Sequence, residues 1–202
     1  MDVKKIAVIG AGAMGNGIAQ VGLMAGFTVA MHDVEQRFVD RGVNTIKESL
    51  DKFVGKGKIT EDQKKDMLAR LLPTTDLKAA VADADLVIEA VFEDLGLKKK
   101  IFADLDAFAP ERTILASNTS SMSITEIASA TKRPGNVVGM HFFNPAVLMK
   151  LVEVIYAKHS ADTAIQATFE VAKKMNKIPV IVKKDSPGFI YNRVNAPTAL
   201  LL

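Results

Sequence analysis

Residues 4–33, KKIAVIGAGAMGNGIAQVGLMAGFTVAMHD, decide the fold. The apolar run over residues 6–9 reads as a buried parallel strand. Gly10, Ala11, Gly12, Ala13, Met14 and Gly15 follow at once. Residues 14–25 predict an amphipathic helix stopped by Gly26. Residues 27–31 are a second apolar run, and it leads to Asp33. The result is a strand, a glycine-rich turn, a helix, a strand and an acid.

Each part has a chemical use. Gly10 permits a tight turn off the strand, Gly12 leaves room for a pyrophosphate, and Gly15 lets the helix pack close to the sheet. The free N–H groups and positive dipole end of the helix would face phosphates. Asp33 stands where a carboxylate would accept hydrogen bonds from the adenosine ribose. It would also repel a 2′-phosphate, which favours NAD over NADP, although Arg37 lies close by. Glycines alone are a weak signal. The flanking strand and helix, and an acid about 20 residues on, make it specific.

Composition sets outer bounds. The 202 residues suffice for one substantial domain and a fragment of another. An apolar fraction of 49% suits a packed core. The apolar stretches are far short of a membrane span, and no signal peptide is visible, so neither a membrane nor export is expected. There are no cysteines, which excludes disulfides and thiolate chemistry and fits a cytoplasmic protein. A net charge of +3 is too small to argue for nucleic acid.

Beyond Asp33 the pattern alternates. Residues 35–58 predict a long helix ending in a basic, glycine-containing turn. Thr60 to Gln63 open a second helix with a capping box, running to Leu71. The pair reads as an inserted helical arm, and its Lys52 and Lys56 are either a solvated face or a docking surface for a phosphate-bearing tail. Pro73 breaks the helix, and residues 74–77 predict a short edge strand. Strands follow at 85–91, 113–117, 137–141, 151–156 and 179–182, with helices at 95–108, 123–130 and 162–175. This is an α/β chain with a doubly wound, mostly parallel Rossmann-type sheet. The connection over residues 142–150 is too short for a parallel crossover, so the strands beside it form a final antiparallel pair. Residues 185–188, Asp-Ser-Pro-Gly, read as a boundary. We expect a nucleotide-binding domain at 1–185 and, at 186–202, the start of a truncated helical domain. Leu200, Leu201 and Leu202 are uncapped, and Pro197 leaves the path after Arg193 open.

Ligands in such sheets bind beyond the C-terminal strand ends. Glu93, Ser120 and His141 fall there. His141 and Glu153 both lie six residues from Val147, so the antiparallel pairing would set them opposite each other, within hydrogen-bond reach. A carboxylate beside a histidine fixes its tautomer and stabilises the imidazolium. The pair is either structural or a general base that takes a hydroxyl proton while hydride leaves for NAD.

The fingerprint, together with VIEAVFED, LASNTSSMSITEIA, GMHFFNPAVLMKLVEVI and SPGFIYNR, resembles the short-chain-acyl branch of the 3-hydroxyacyl-CoA dehydrogenases across essentially the whole chain. The resemblance implies an acyl-CoA substrate, NAD, a role in butyrate or fatty-acid metabolism, and a homodimer formed through a C-terminal helical domain. It implies His141 and Glu153 as the catalytic dyad and Ser120 and Asn192 as substrate contacts. It implies cofactor contacts at Gly10, Ala11, Gly12, Ala13, Met14, Gly15, Asp33, Glu93, Lys98, Ser120 and Asn144. It also favours Lys52 and Lys56 as contacts of the CoA moiety. Lys98 lies in a three-lysine run that is otherwise a solvated face. The competing reading is a non-catalytic NAD-binding relative, which would have no need of the dyad.

Overall fold

A computed structural model describes residues 2–199; Leu200, Leu201 and Leu202 lie outside the described residues. Among these residues, one sheet has eight strands: β1 (Lys5–Ile9), β2 (Thr28–His32), β3 (Leu71–Thr74), β4 (Leu86–Glu89), β5 (Ile114–Ser117), β6 (Val137–Phe142), β7 (Leu151–Tyr156) and β8 (Ile178–Val182). Their spatial order is β3-β2-β1-β4-β5-β6-β7-β8. Neighbours run parallel except β6 and β7. The antiparallel pair is therefore not the last: β8 lies beyond it, parallel to β7.

The helices are α1 (Ala13–Met24), α2 (Gln36–Gly55), α3 (Glu61–Ala69), α4 (Leu77–Val81), α5 (Leu95–Phe108), α6 (Ile124–Ala128), α7 (Asp162–Lys174) and α8 (Tyr191–Ala199). They cover both faces of the sheet. Alternation along β1 sends Ile6 and Val8 into a core with Ile18, Leu23, Ile46 and Val171. It sends Ala7 and Ile9 into a second core with Val81, Phe102, Leu105 and Ile127. The chain leaves β1 on one side for β2 and later returns on the other for β4. That reversal of strand order opens a crevice above β1, where the glycine-rich turn sits.

The expectation for residues 70–81 shifts. The edge strand is Leu71–Thr74 rather than residues 74–77, and Leu77–Val81 is a helix. Arg70 explains the early end of α3. Its guanidinium donates to the carbonyls of Leu23 and Phe27 at 3.0 and 2.6 Å, so the chain turns into the sheet beside β2. Pro73 is tolerated because β3 is an edge strand. At the other end, the path after Arg193, which the sequence leaves open, is helical: α8 continues through Pro197 to Ala199. The capping box at Thr60 forms as the sequence predicts, with reciprocal bonds to Gln63.

Candidate active site

The glycine turn explains itself by what a side chain would strike. Gly10 has φ +105°, and a Cβ there would come within 2.6 Å of the Ala90 carbonyl oxygen. A Cβ on Gly15 would lie 1.7 Å from the Gly10 carbonyl oxygen, so this glycine closes the turn upon itself. Gly12 is different, with nothing within 4 Å of its missing side chain. Gly12 also caps α1 without a side-chain hydrogen bond, and the first turn, with Ala13 and Met14, has no acidic residue. The N–H groups there are left for an anion, and the open space lets one approach. Asp33 accepts from the Ala11 N–H at 2.8 Å, which ties the acid to the turn while lone pairs stay available for ribose hydroxyls. Arg37 is engaged by Glu35 at 2.9 Å and lies over the Phe38 ring. These residues fit a dinucleotide.

At the other end of the crevice, β6 and β7 put His141 directly opposite Glu153. His141 Nδ1 is 2.8 Å from Glu153 Oε2, and both side chains are buried. The other oxygen, Oε1, accepts from the N–H groups of Ile190 and Tyr191, each at 2.9 Å, at the start of α8. Burial pushes the Glu153 carboxyl up. The His141 hydrogen bond and the two backbone donors outweigh it and hold the group below its ordinary range. An ionised Glu153 takes the Nδ1 proton as its partner, leaving Nε2 as the nitrogen able to receive another.

Asn192 donates to the Ser120 carbonyl at 3.2 Å, so these two residues, 72 apart in sequence, share one wall. A cleft of about 290 Å³ is lined by Met14, Ser120, His141, Asn144 and Asn192, with Asn118 and the Phe143 ring. Asn118 was not singled out in the sequence. Its side-chain oxygen accepts from the Phe142 N–H at 2.8 Å and joins the ends of β5 and β6.

Glu93 accepts from the Ser120 N–H at 2.8 Å and from the Thr119 hydroxyl. Burial raises its carboxyl, but these two donors and the Lys98 ammonium together hold it low. Lys98 is no solvated residue. It is 1% exposed, 2.7 Å from Glu89 and 3.2 Å from Glu93, and it reaches the site through Glu93. Sequence reading passed over Glu89 because it sits in an apolar run. A carboxylate there needs a buried partner, and that was the available signal. Lys52 and Lys56 are exposed at the end of α2, and among the described residues neither has an ion pair with this cleft.

Comparison with known proteins gives matches along nearly the whole chain. Residues 5–186 match the family model described as 3-hydroxyacyl-CoA dehydrogenase, NAD binding domain. A 3-hydroxybutyryl-CoA dehydrogenase of Clostridioides difficile is 46% identical over 193 residues, covering 96% of this chain and 68% of that protein. The crystal structure of (S)-3-hydroxybutyryl-CoA dehydrogenase from Ralstonia eutropha superposes with a TM-score of 0.94 at 42% identity, covering 98% of this chain and 69% of the other. That of 3-hydroxybutyryl-CoA dehydrogenase from Escherichia coli K12 gives 0.94 at 43%, covering 98% of this chain but only 41% of that one.

Proposed function

Since the chain belongs to the 3-hydroxyacyl-CoA dehydrogenase family through its NAD-binding domain, we propose that its cleft interconverts a (3S)-3-hydroxyacyl-CoA and the 3-oxoacyl-CoA: 3-hydroxybutyryl-CoA, the compound in the relatives' names, and its oxidation product acetoacetyl-CoA. NAD, held by the Gly10–Gly15 turn and Asp33, supplies the hydride acceptor. His141 Nε2 takes the proton of the C3 hydroxyl. Glu153 holds the imidazolium so formed and keeps the ring in one tautomer. Ser120 and Asn192 hydrogen-bond the C3 oxygen and orient it. In the reverse direction the same histidine returns the proton.

The observation that carries this reading is the 2.8 Å His141–Glu153 contact in the wall of a cleft shared with Ser120 and Asn192. Binding a dinucleotide requires no such dyad. We further propose that the segment from residue 186 begins a helical domain through which the whole protein dimerises, and that Lys52 and Lys56 hold the CoA phosphates. Among the described residues no helix is long and apolar enough to cross a membrane.

The test is NADH oxidation with acetoacetyl-CoA in the whole protein. His141→Ala should lower kcat by about 10²–10⁴ while NAD binding persists. Unchanged turnover in that variant would refute the assignment.

A further inference from the structure

Three charged side chains adjoin the cleft, two of them buried and the third, Glu93, half-exposed. Glu89 and Lys98 are 0% and 1% exposed, and Lys98 bridges Glu89 to Glu93. Their charge states follow from their partners. Glu89 receives the Val91 N–H and the Lys98 ammonium at Oε1 and the Ser117 hydroxyl at Oε2. The Ser117 oxygen accepts in turn from the Thr119 N–H at 3.3 Å, which leaves its proton for Glu89. Glu93 receives the Ser120 N–H and the Thr119 hydroxyl at one oxygen and Lys98 at the other. Carboxyl oxygens surrounded by donors are ionised.

Two carboxylates against one ammonium leave a surplus negative charge at the ends of β4 and β5. The half-exposed Glu93 already ties Lys98 to the Ser120 loop, and burying a further carboxylate, Glu89, beneath it is costly. The surplus has a use if it acts on something that changes charge nearby. The nicotinamide ring does: it is cationic when oxidised and neutral when reduced.

We propose that the Glu89–Lys98–Glu93 triad biases the site toward the oxidised cofactor, with Glu89 supplying the surplus charge. This rests on the dehydrogenase reading, which sets the ring beside Ser120 and His141. Glu153 also acts on the ring, but it is common to every variant compared below.

The experiment is fluorescence titration of the full chain with NADH, and competition by NAD⁺, giving the ratio Kd(NADH)/Kd(NAD⁺). Glu89→Gln keeps the side chain's shape and removes the surplus, so the ratio should fall about threefold. That is the order of effect a unit charge exerts across a partly solvated cleft. Lys98→Met enlarges the surplus, so the ratio should rise by a similar factor. If Lys98→Met does not fold, Glu93→Gln replaces it and should lower the ratio as Glu89→Gln does. A purely structural role weakens both cofactor forms together and leaves the ratio unmoved; that result, or shifts of the wrong sign, would overturn the proposal. Wild-type protein that bound neither form would overturn the proposed function itself, and this inference with it.

Discussion

Glu153 serves two masters with its two oxygens. Oε2 meets the His141 ring, and Oε1 collects two N–H groups at the start of α8. Glu153→Gln separates these tasks. The amide oxygen can still accept from Ile190 and Tyr191, but its NH₂ then faces Nδ1 and forces the proton onto Nε2. That tautomer cannot take the hydroxyl proton, so kcat for alcohol oxidation should fall by about 10²–10⁴ with the fold retained. A kcat within twofold of wild type would refute the carboxylate's role. The pH dependence has a definite sign. The folded carboxyl sits below its ordinary 4.5, so its contribution to stability is present above that pH and is lost as pH falls through the lowered value. Melting scans between pH 6 and about 3 should show a shallower acid decline in Glu153→Gln. Counting residues about Val147 made this pair legible in the sequence, because antiparallel register is arithmetic. Ser120 was legible as a polar group beyond a strand end, but its pairing with Asn192 in a substrate site came only by resemblance. Their contact depends on how a distant turn docks, and no local pattern encodes that.

The connection between β6 and β7 is the element on which the dyad turns. Leu148 and Met149 both donate to the Pro145 carbonyl at 3.0 Å, forming a single helical turn. Ala146 in this turn is buried, and it lies against Gly17 of α1. Lys177, just after α7, places its ammonium on the carbonyls of Ala146 and Met149. Burial, with a smaller push from Lys150, lowers Lys177 to about 8. The folded state therefore sheds this proton before the unfolded chain does. The group's contribution opposes folding below pH 8, and the penalty fades as pH rises from about 8 toward 10.5. The Tm of wild type relative to Lys177→Met should accordingly rise over that interval; a fall would mean the ammonium is stabilised where it lies. The strands and long helices around this loop were readable from apolar runs and caps. The misplacement at residues 71–81 has a plain cause. A four-residue edge strand containing Pro73 has no periodicity, and its place is set by Arg70 reaching the Leu23 and Phe27 carbonyls.

At the scale of the molecule, the cleft is completed by a segment that comes from the far edge of the sheet. After β8 the chain crosses back over β7, and Asp185 anchors it to α6 by accepting from the Ser123 hydroxyl at 2.9 Å and the Thr125 N–H at 2.6 Å. Phe189 follows at φ 50°, a left-handed conformation that costs a bulky residue about 1–2 kcal/mol. Its ring is buried 5.8 Å from that of His141, which offsets the cost. Glu153 then receives the start of α8, and Asn192 reaches Ser120. The glycine turn stands apart from this chain of contacts, since its own bonds run to β2 and Asp33. Cofactor binding and catalysis should therefore respond differently when the crossing is loosened. Asp185→Ala removes both bonds to α6, each worth about 1 kcal/mol. Amide exchange over residues 186–192 should then quicken by about tenfold or more. kcat should fall as Asn192 and the Glu153 partners lose their fixed place, while NAD⁺ affinity measured by titration stays unchanged. Equal losses in both quantities would show that the crossing supports the whole sheet; unchanged exchange would show that Glu153 and Phe189 hold the segment without Asp185.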